Sequence, residues 1–182
     1  MDQIVAPWRI EWVEREDQNA DLEGCPFCVL PERDEDRSNL VVARSEHSFV
    51  LLNNYPYNPG HAMVIPRRHV GQYEDLPEPE LLDHARLKQV TIRALKKGLG
   101  PDGFNTGMNL GEGAGGSIGD HIHTHIVPRW KGDTNFMPVI GETSVIVEAV
   151  TDTYDRLHEG FAAQPEASVV DSETAAEVSF DQ

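Results

Sequence analysis

Residues 119–130 read GDHIHTHIVPRW, which puts His121, His123 and His125 at alternate positions in an otherwise apolar, β-branched run. Three of the chain's eight histidines are spent here. Side chains on a strand alternate between faces, so the three imidazoles share one face and Ile122, Thr124 and Ile126 share the other. Such a row can chelate a metal, since alternate histidines are a common zinc arrangement. It can also supply nucleophiles or proton carriers that work near neutral pH. A purely structural role is the weakest reading, because each buried imidazole needs its own hydrogen-bond partner. The adjoining NLGEGAGGS (109–117) adds glycines whose backbone N–H groups can converge on an anion, with the Ser117 hydroxyl as a further donor. A glycine-rich loop alone is usually a turn. Set directly before the histidine strand, it favours phosphoryl or nucleotidyl transfer.

These residues need a scaffold, and the hydrophobic pattern supplies its pieces. Trp8, Ile10 and Trp12 alternate with polar residues as a short N-terminal strand. LVVAR (40–44) and SFVLLN (48–53) read as strands joined by a tight turn at 45–47, and HAMVIPRRH (61–69) as a strand broken at Pro66. Residues 78–99 carry Leu81, Leu82, Ala85, Val90, Ala94 and Leu95 and run into a glycine stop behind two lysines, which predicts the longest helix. FNTGMNL and HIHTHIVP are further strands, and 145–161 a weaker helix. Hairpin-like turns around one long helix predict an α+β domain, an antiparallel sheet of about five strands with that helix and a C-terminal helix. Residues 1–163 form this domain with its N-terminal extension. Residues 164–182, acidic and without a single Lys or Arg, are expected to be a flexible tail.

Composition narrows the function classes. A chain of 182 residues suits one domain with a sizeable core. No window approaches the roughly 18 consecutive apolar residues of a membrane span. The start, MDQIVAPWRIEW, lacks the basic head and apolar core of a signal peptide, so a cytoplasmic location is expected. A structural disulfide between Cys25 and Cys28 of CPFC is then not expected. The formal net charge is −16, from 31 acidic against 15 basic residues, only four of them lysine. That field repels nucleic acid and anionic membranes, so neither is an expected partner. Short-range screening at high salt makes so acidic a surface tolerable, and we read it as halophilic adaptation. Any anionic ligand must be held by local donors.

HIHTHIV also matches the His-x-His-x-His-apolar-apolar motif of the histidine-triad (HIT) nucleotide hydrolases and transferases. The resemblance extends through LNNYPYNPGHAMVIPRRH and GFNTGMNLGEGAGGS and covers roughly residues 7–145. APWR, NYPYNPGH and HIVPRWKGDTNFMPVIG look most like the family's diadenosine-tetraphosphate phosphorylase (ATP adenylyltransferase-like) branch. It implies a reaction at the α-phosphate of an adenine nucleotide or dinucleoside polyphosphate. His123 stands where the family has its nucleophile, which forms a covalent nucleotidyl-imidazole. His125 stands where the α-phosphate oxygens are stabilised, and His61 supports the cluster from a neighbouring strand. Asn53 matches the ribose-holding position, and Asn109, Gly116 and Ser117 match phosphate-binding positions. Phe27 and Leu52 are candidate adenine lining and equally ordinary core residues. Cys25, Cys28, His69 and His121 match a structural zinc set of the family, suited to tetrahedral coordination. Without zinc, the cysteines are small core residues. Family members usually pair as homodimers. Mg²⁺ is implied only as a companion of a polyphosphate substrate, because no Asp/Glu cluster looks like a dedicated site.

Two rival functions stay open on sequence grounds. A zinc metallohydrolase could use the triad itself as ligands, but Asp120, the nearby carboxylate, is on the wrong side of the alternation. A nucleotide-binding sensor without turnover is opposed only by the intact nucleophile position. His47, His84 and His158 lie outside these segments and are read as surface residues.

Overall fold

The computed structural model describes residues 24–115, 118–133 and 149–180. The expected N-terminal strand at Trp8–Trp12 lies outside them. Strands β1 (Val41–Arg44), β2 (Ser48–Leu52), β3 (Ala62–Pro66), β4 (Gly103–Gly107), β5 (Thr124–Arg129), β6 (Ala167–Ser168) and β7 (Ala176–Val178) form one sheet in the order β4-β5-β3-β2-β1-β7-β6. The α+β class matches expectation. The sheet is wider than five strands and is mixed, because β7 runs parallel to β1. β2 and β3 are buried at every position. Strands covered on both faces read as continuous apolar runs, which is how SFVLL and AMVI read.

The helices are α1 (Pro26–Val29), α2 (Glu78–Leu99) and α3 (Val150–Ala162). α2 begins with a proline in its first turn beside Glu78 and Glu80, and carries Lys96 and Lys97 in its last. Those charges suit the two ends of the helix dipole, and Gly100 ends it in the left-handed region at φ 64°. The buried stripe differs from the expected one at the N-terminal end. Leu82 is 50% exposed, while Asp83, His84, Leu87, Val90, Thr91, Ala94, Leu95 and Leu99 face inward. α3 buries Tyr154, Leu157, His158 and Phe161 at helical spacing. The two helices touch through backbone: a Cβ at Gly98 would strike the carbonyl of Arg156, and one at Gly160 the carbonyl of Ala94. Glycine is what that approach requires.

Residues 164–180, expected as a flexible tail, instead return to the sheet as β6 and β7. Arg37 pairs bidentately with Asp155 on α3, and its backbone N–H donates to Glu173 O at 3.2 Å. Ala175 N–H donates to Asp36 Oδ2 at 2.8 Å, and His158 Nε2–H to Thr174 O at 2.9 Å. Ala175, Ala176 and Val178 fill small gaps in the core. Small apolar side chains such as these add little apolar bulk beside the segment's acids, so composition alone misread it. His84 and His158, expected at the surface, are buried, each with Nε2 on a main-chain carbonyl that meets its hydrogen-bond demand. His47 is partly exposed beside Glu46. Among the described residues no helix is long and apolar enough to cross a membrane.

Candidate active site

The sheet separates two hydrophobic clusters. Val50, Leu52, Ala62, Val64 and Ile126 face α2 and α3, while Phe27, Phe49, Leu51, Met63 and Ile65 line the opposite side. Met63 pairs with His125 across β3–β5, so His125 shares the second face. Leu52 therefore belongs to the core beneath the helices, on the side away from the histidines, and Leu51 takes the position facing them. β5 itself begins only at Thr124. His121 and His123 precede it, on a stretch anchored by Ile122 N–H to Val70 O at 2.8 Å.

One corner of this face gathers Cys25, Cys28, His69 and His121, whose ligand atoms all lie within 4.8 Å of one another. The Cys25 and Cys28 sulfurs are 3.4 and 3.6 Å from His121 Nδ1, and Cys28 Sγ is 3.3 Å from His69 Nδ1. Ideal tetrahedral zinc with ordinary bond lengths separates sulfur and nitrogen ligands by about 3.5 Å. The donor set fits. His121 Nε2–H donates to Pro66 O at 2.8 Å, and His69 Nε2 lies 3.5 Å from Asp120 Oδ2. Each ring thus turns its outer nitrogen to an oxygen and its Nδ1 lone pair inward, the usual support of metal-bound imidazole. Asp120, on the wrong side for a triad metal, is on the right side for this one. Burial and the neighbouring Cys25 push the Cys28 thiol up to about 11, so a cation must displace protons to bind here.

The adjoining corner holds His61, His123 and His125. His123 Nδ1 lies 3.0 Å from the carbonyl of His121, which can only accept, so Nδ1 carries the hydrogen and Nε2 the lone pair. Burial lowers the His123 pKa, opposed by that same hydrogen bond, and the ring is neutral near pH 7. Tyr57 N–H donates to His61 Nδ1 at 3.2 Å, which places the His61 hydrogen on Nε2. That nitrogen is 2.9 Å from His125 Nδ1 and donates to it. His125 is left with its hydrogen on Nε2, beside the His123 ring at 4.8 Å between centroids. One backbone amide thus sets two tautomers in series. The result is a lone pair on His123 next to an N–H donor on His125.

The other named residues are placed unevenly. Phe27 is 4% exposed and packs against both His121 and His123, with ring centroids 5.6 and 5.0 Å away. Asn53 Oδ1 accepts from Tyr55 N–H at 2.8 Å. Asn109 is exposed at the end of β4, before a short turn at Glu112–Ala114. Gly116 and Ser117 lie outside the described residues. Sequence reasoning missed Tyr57, which stacks on His61 at 5.0 Å, and the clamp in which Asn58 Nδ2 reaches Pro128 O and Asp133 Oδ2, both at 3.0 Å. Arg129 holds the Asp133 carboxyl down to about 2. The clamp joins the NYPYNPGH loop to the end of β5, and a Pro/Asn-rich loop gives only a weak hint of it. A groove of about 530 Å³, lined by Ser45, His47, Arg67, Asp83, Arg86 and Phe180 among others, includes none of His61, His121, His123 and His125 in its lining.

A model of the HIT domain matches residues 34–132. Over 170 residues the chain is 40% identical to AP-4-A phosphorylase of Mycobacterium tuberculosis, covering 91% of this chain and 87% of that protein. It is 36% identical over 92 residues to the Bis(5'-adenosyl)-triphosphatase of Saccharomyces cerevisiae, half of this chain and 44% of the relative. A Zn-bound histidine triad family protein from Mycobacterium smegmatis superposes with a TM-score of 0.62 at 27% identity, over 76% of this chain and 94% of that one. The chain belongs to the HIT family.

Proposed function

We propose that this protein is an enzyme that cleaves adenine dinucleotides at the α-phosphate, as a nucleotidyltransferase or hydrolase, through a nucleotidyl-His123 intermediate. The observation that carries this reading is the 3.0 Å bond from His123 Nδ1–H to the His121 carbonyl, which leaves Nε2 as the nucleophilic nitrogen. Nε2 forms a bond to the α-phosphorus while the bond from phosphorus to the leaving polyphosphate oxygen breaks. The His125 Nε2–H donates to the charge that builds on the phosphate oxygens. A second acceptor, water or phosphate, then breaks the N–P bond and restores the neutral imidazole. The names of the mycobacterial and yeast relatives support dinucleoside polyphosphates as the substrate class. Asn53, Asn109, Gly116 and Ser117 are assigned to ribose and phosphate, with Mg²⁺ as a companion of the substrate. The test is product analysis of diadenosine tetraphosphate with and without inorganic phosphate. ADP plus ATP marks phosphorolysis, AMP plus ATP marks hydrolysis, and no product from either sinks the reading.

The Cys25, Cys28, His69 and His121 cluster is proposed to hold structural zinc, a reading supported by its donor geometry and by the Zn-bound relative. Zinc would supply a cross-link there rather than reactivity, because four protein ligands leave no open position. The rival in which the three triad histidines share one catalytic metal fits poorly. His121 turns Nδ1 to the sulfurs, and His125 Nδ1 is taken by His61.

A further inference from the structure

Behind the nucleophile, on the helix side of the sheet, lies a histidine that this chemistry does not use. His84, on α2, is 4% exposed. Its Nε2 is 3.2 Å from Val64 O and 3.2 Å from Thr124 Oγ1. Val64 and Thr124 face each other across the β3–β5 ladder. Thr124 is also the residue between His123 and His125, with its side chain buried on the opposite face. A carbonyl only accepts, so Nε2 carries the hydrogen and both oxygens accept from that one N–H. The imidazole therefore joins the long helix to two strands at the point where the third-to-fourth residue of HIHTHI turns into β5.

We propose that His84 is a positioning residue: by pinning Thr124 from behind, it fixes where the backbone presents His123 and His125 to the phosphate. The proposal rests on the reading of His123 as nucleophile. His123 and His125 are each one peptide away from Thr124, so movement of Thr124 carries both with it. Rate is far more sensitive than binding to such movement, since misplacing reacting atoms by about 1 Å costs on the order of 10²-fold. A histidine that merely filled space would be replaceable by leucine at no cost in turnover of the folded protein.

The experiment compares His84→Leu, which removes the donor, with His84→Gln, whose amide N–H reaches the same position, and with Thr124→Val. With diadenosine tetraphosphate and phosphate, kcat should fall about 10-fold or more in His84→Leu while KM stays within about twofold, and His84→Gln should recover most of the loss. Thr124→Val should mimic His84→Leu, and the double variant should be little slower than either single one. Unchanged kcat in folded His84→Leu overturns the proposal, as does a glutamine variant no faster than the leucine one. If His84→Leu does not fold, Thr124→Val carries the same test, and its unchanged kcat overturns the proposal. Should wild type give no product at all, the functional reading fails instead. The pinning is then read from the ring ¹⁵N resonances of His123, expected to shift in His84→Leu and return in His84→Gln. Resonances that do not move overturn it.

Discussion

His121 and His123 are two residues apart in one motif, yet they present opposite nitrogens. His121 spends Nε2–H on the Pro66 carbonyl and turns Nδ1 to two sulfurs. His123 spends Nδ1–H on the His121 carbonyl and keeps the lone pair on Nε2, the nitrogen proposed as nucleophile. In each case a main-chain oxygen chooses the tautomer, and the tautomer decides which nitrogen is left to bind or react. On the proposed reading, the triad is two sites sharing a strand approach: a metal corner built on His121 and a phosphate corner built on His123 and His125. The corners also differ in what supports them. Carbonyl and carboxylate oxygens back the first, while a relay from Tyr57 through His61 backs the second.

Variants that touch one corner should leave the other intact. His123→Ala should reduce turnover by more than about 10³-fold with nucleotide binding and metal content retained, as expected for a group acting in the bond-making step. Label from α-labelled nucleotide, stable to base and labile to acid, should appear on wild type and vanish from the variant. Retention of more than a few per cent of the wild-type rate rules out the assignment. His125→Ala removes only a donor to the developing charge, and a loss of about 10²- to 10³-fold is expected, again with metal retained.

Cys28→Ser should do the reverse. Its zinc content should drop to near zero and its stability by about 3 kcal/mol or more, lowering Tm by roughly 6–12 °C. Turnover should suffer only as far as His123 drifts. Metal analysis of protein purified without chelator decides the matter, and wild type holding less than about 0.2 zinc per chain contradicts a structural site.

His84 follows the same carbonyl rule with no ligand to serve. Burial lowers its pKa below the ordinary 6.5, assisted by Lys88 and opposed by the Val64 hydrogen bond and by Asp83. The unfolded chain then binds more protons than the folded one under acid conditions. His84 thus contributes stability that is present above pH 6.5 and lost as pH falls through that value toward its folded pKa. Denaturant unfolding of wild type and His84→Gln at pH 7.5 and 5.5 should show wild type losing more, by up to about 1.4 kcal/mol per pH unit. Equal losses show that His84 does not titrate this way.

Much of this division was legible in the sequence. The long helix and the turn at 45–47 follow from periodicity and capping signals, whereas Cys25, Cys28, His69 and His121 are picked out as a set only through the resemblance to the HIT family. What escaped has a common cause. Leu52 and Leu51 are both apolar, and only pairing with the residues around His125 shows which of them shares its face. His84 and His158 are polar residues whose partners are backbone carbonyls far along the chain, and no local pattern marks such a partner. The return of residues 164–180 rests on pairing β7 to β1, a contact across more than 130 positions that acidic composition disguised.

Phe27 is the side chain that belongs to both corners, and the smallest predicted effect tests how independent they are. It lies between the two cysteines in sequence and packs edge-on to His121 and tilted against His123. Phe27→Leu keeps an apolar body but removes the flat face and edge that hold two imidazoles at fixed angles. The cost in stability should stay near or below about 1.5 kcal/mol, because the swap nearly conserves volume and the metal ligands are untouched. Zinc content should therefore be unchanged. Turnover should fall several-fold with KM little altered, since the His123 ring gains freedom about its Cβ while Nδ1–H keeps its carbonyl. Equal loss of zinc and turnover in Phe27→Leu would mean that the ring couples the corners, and that the motif acts as one site after all.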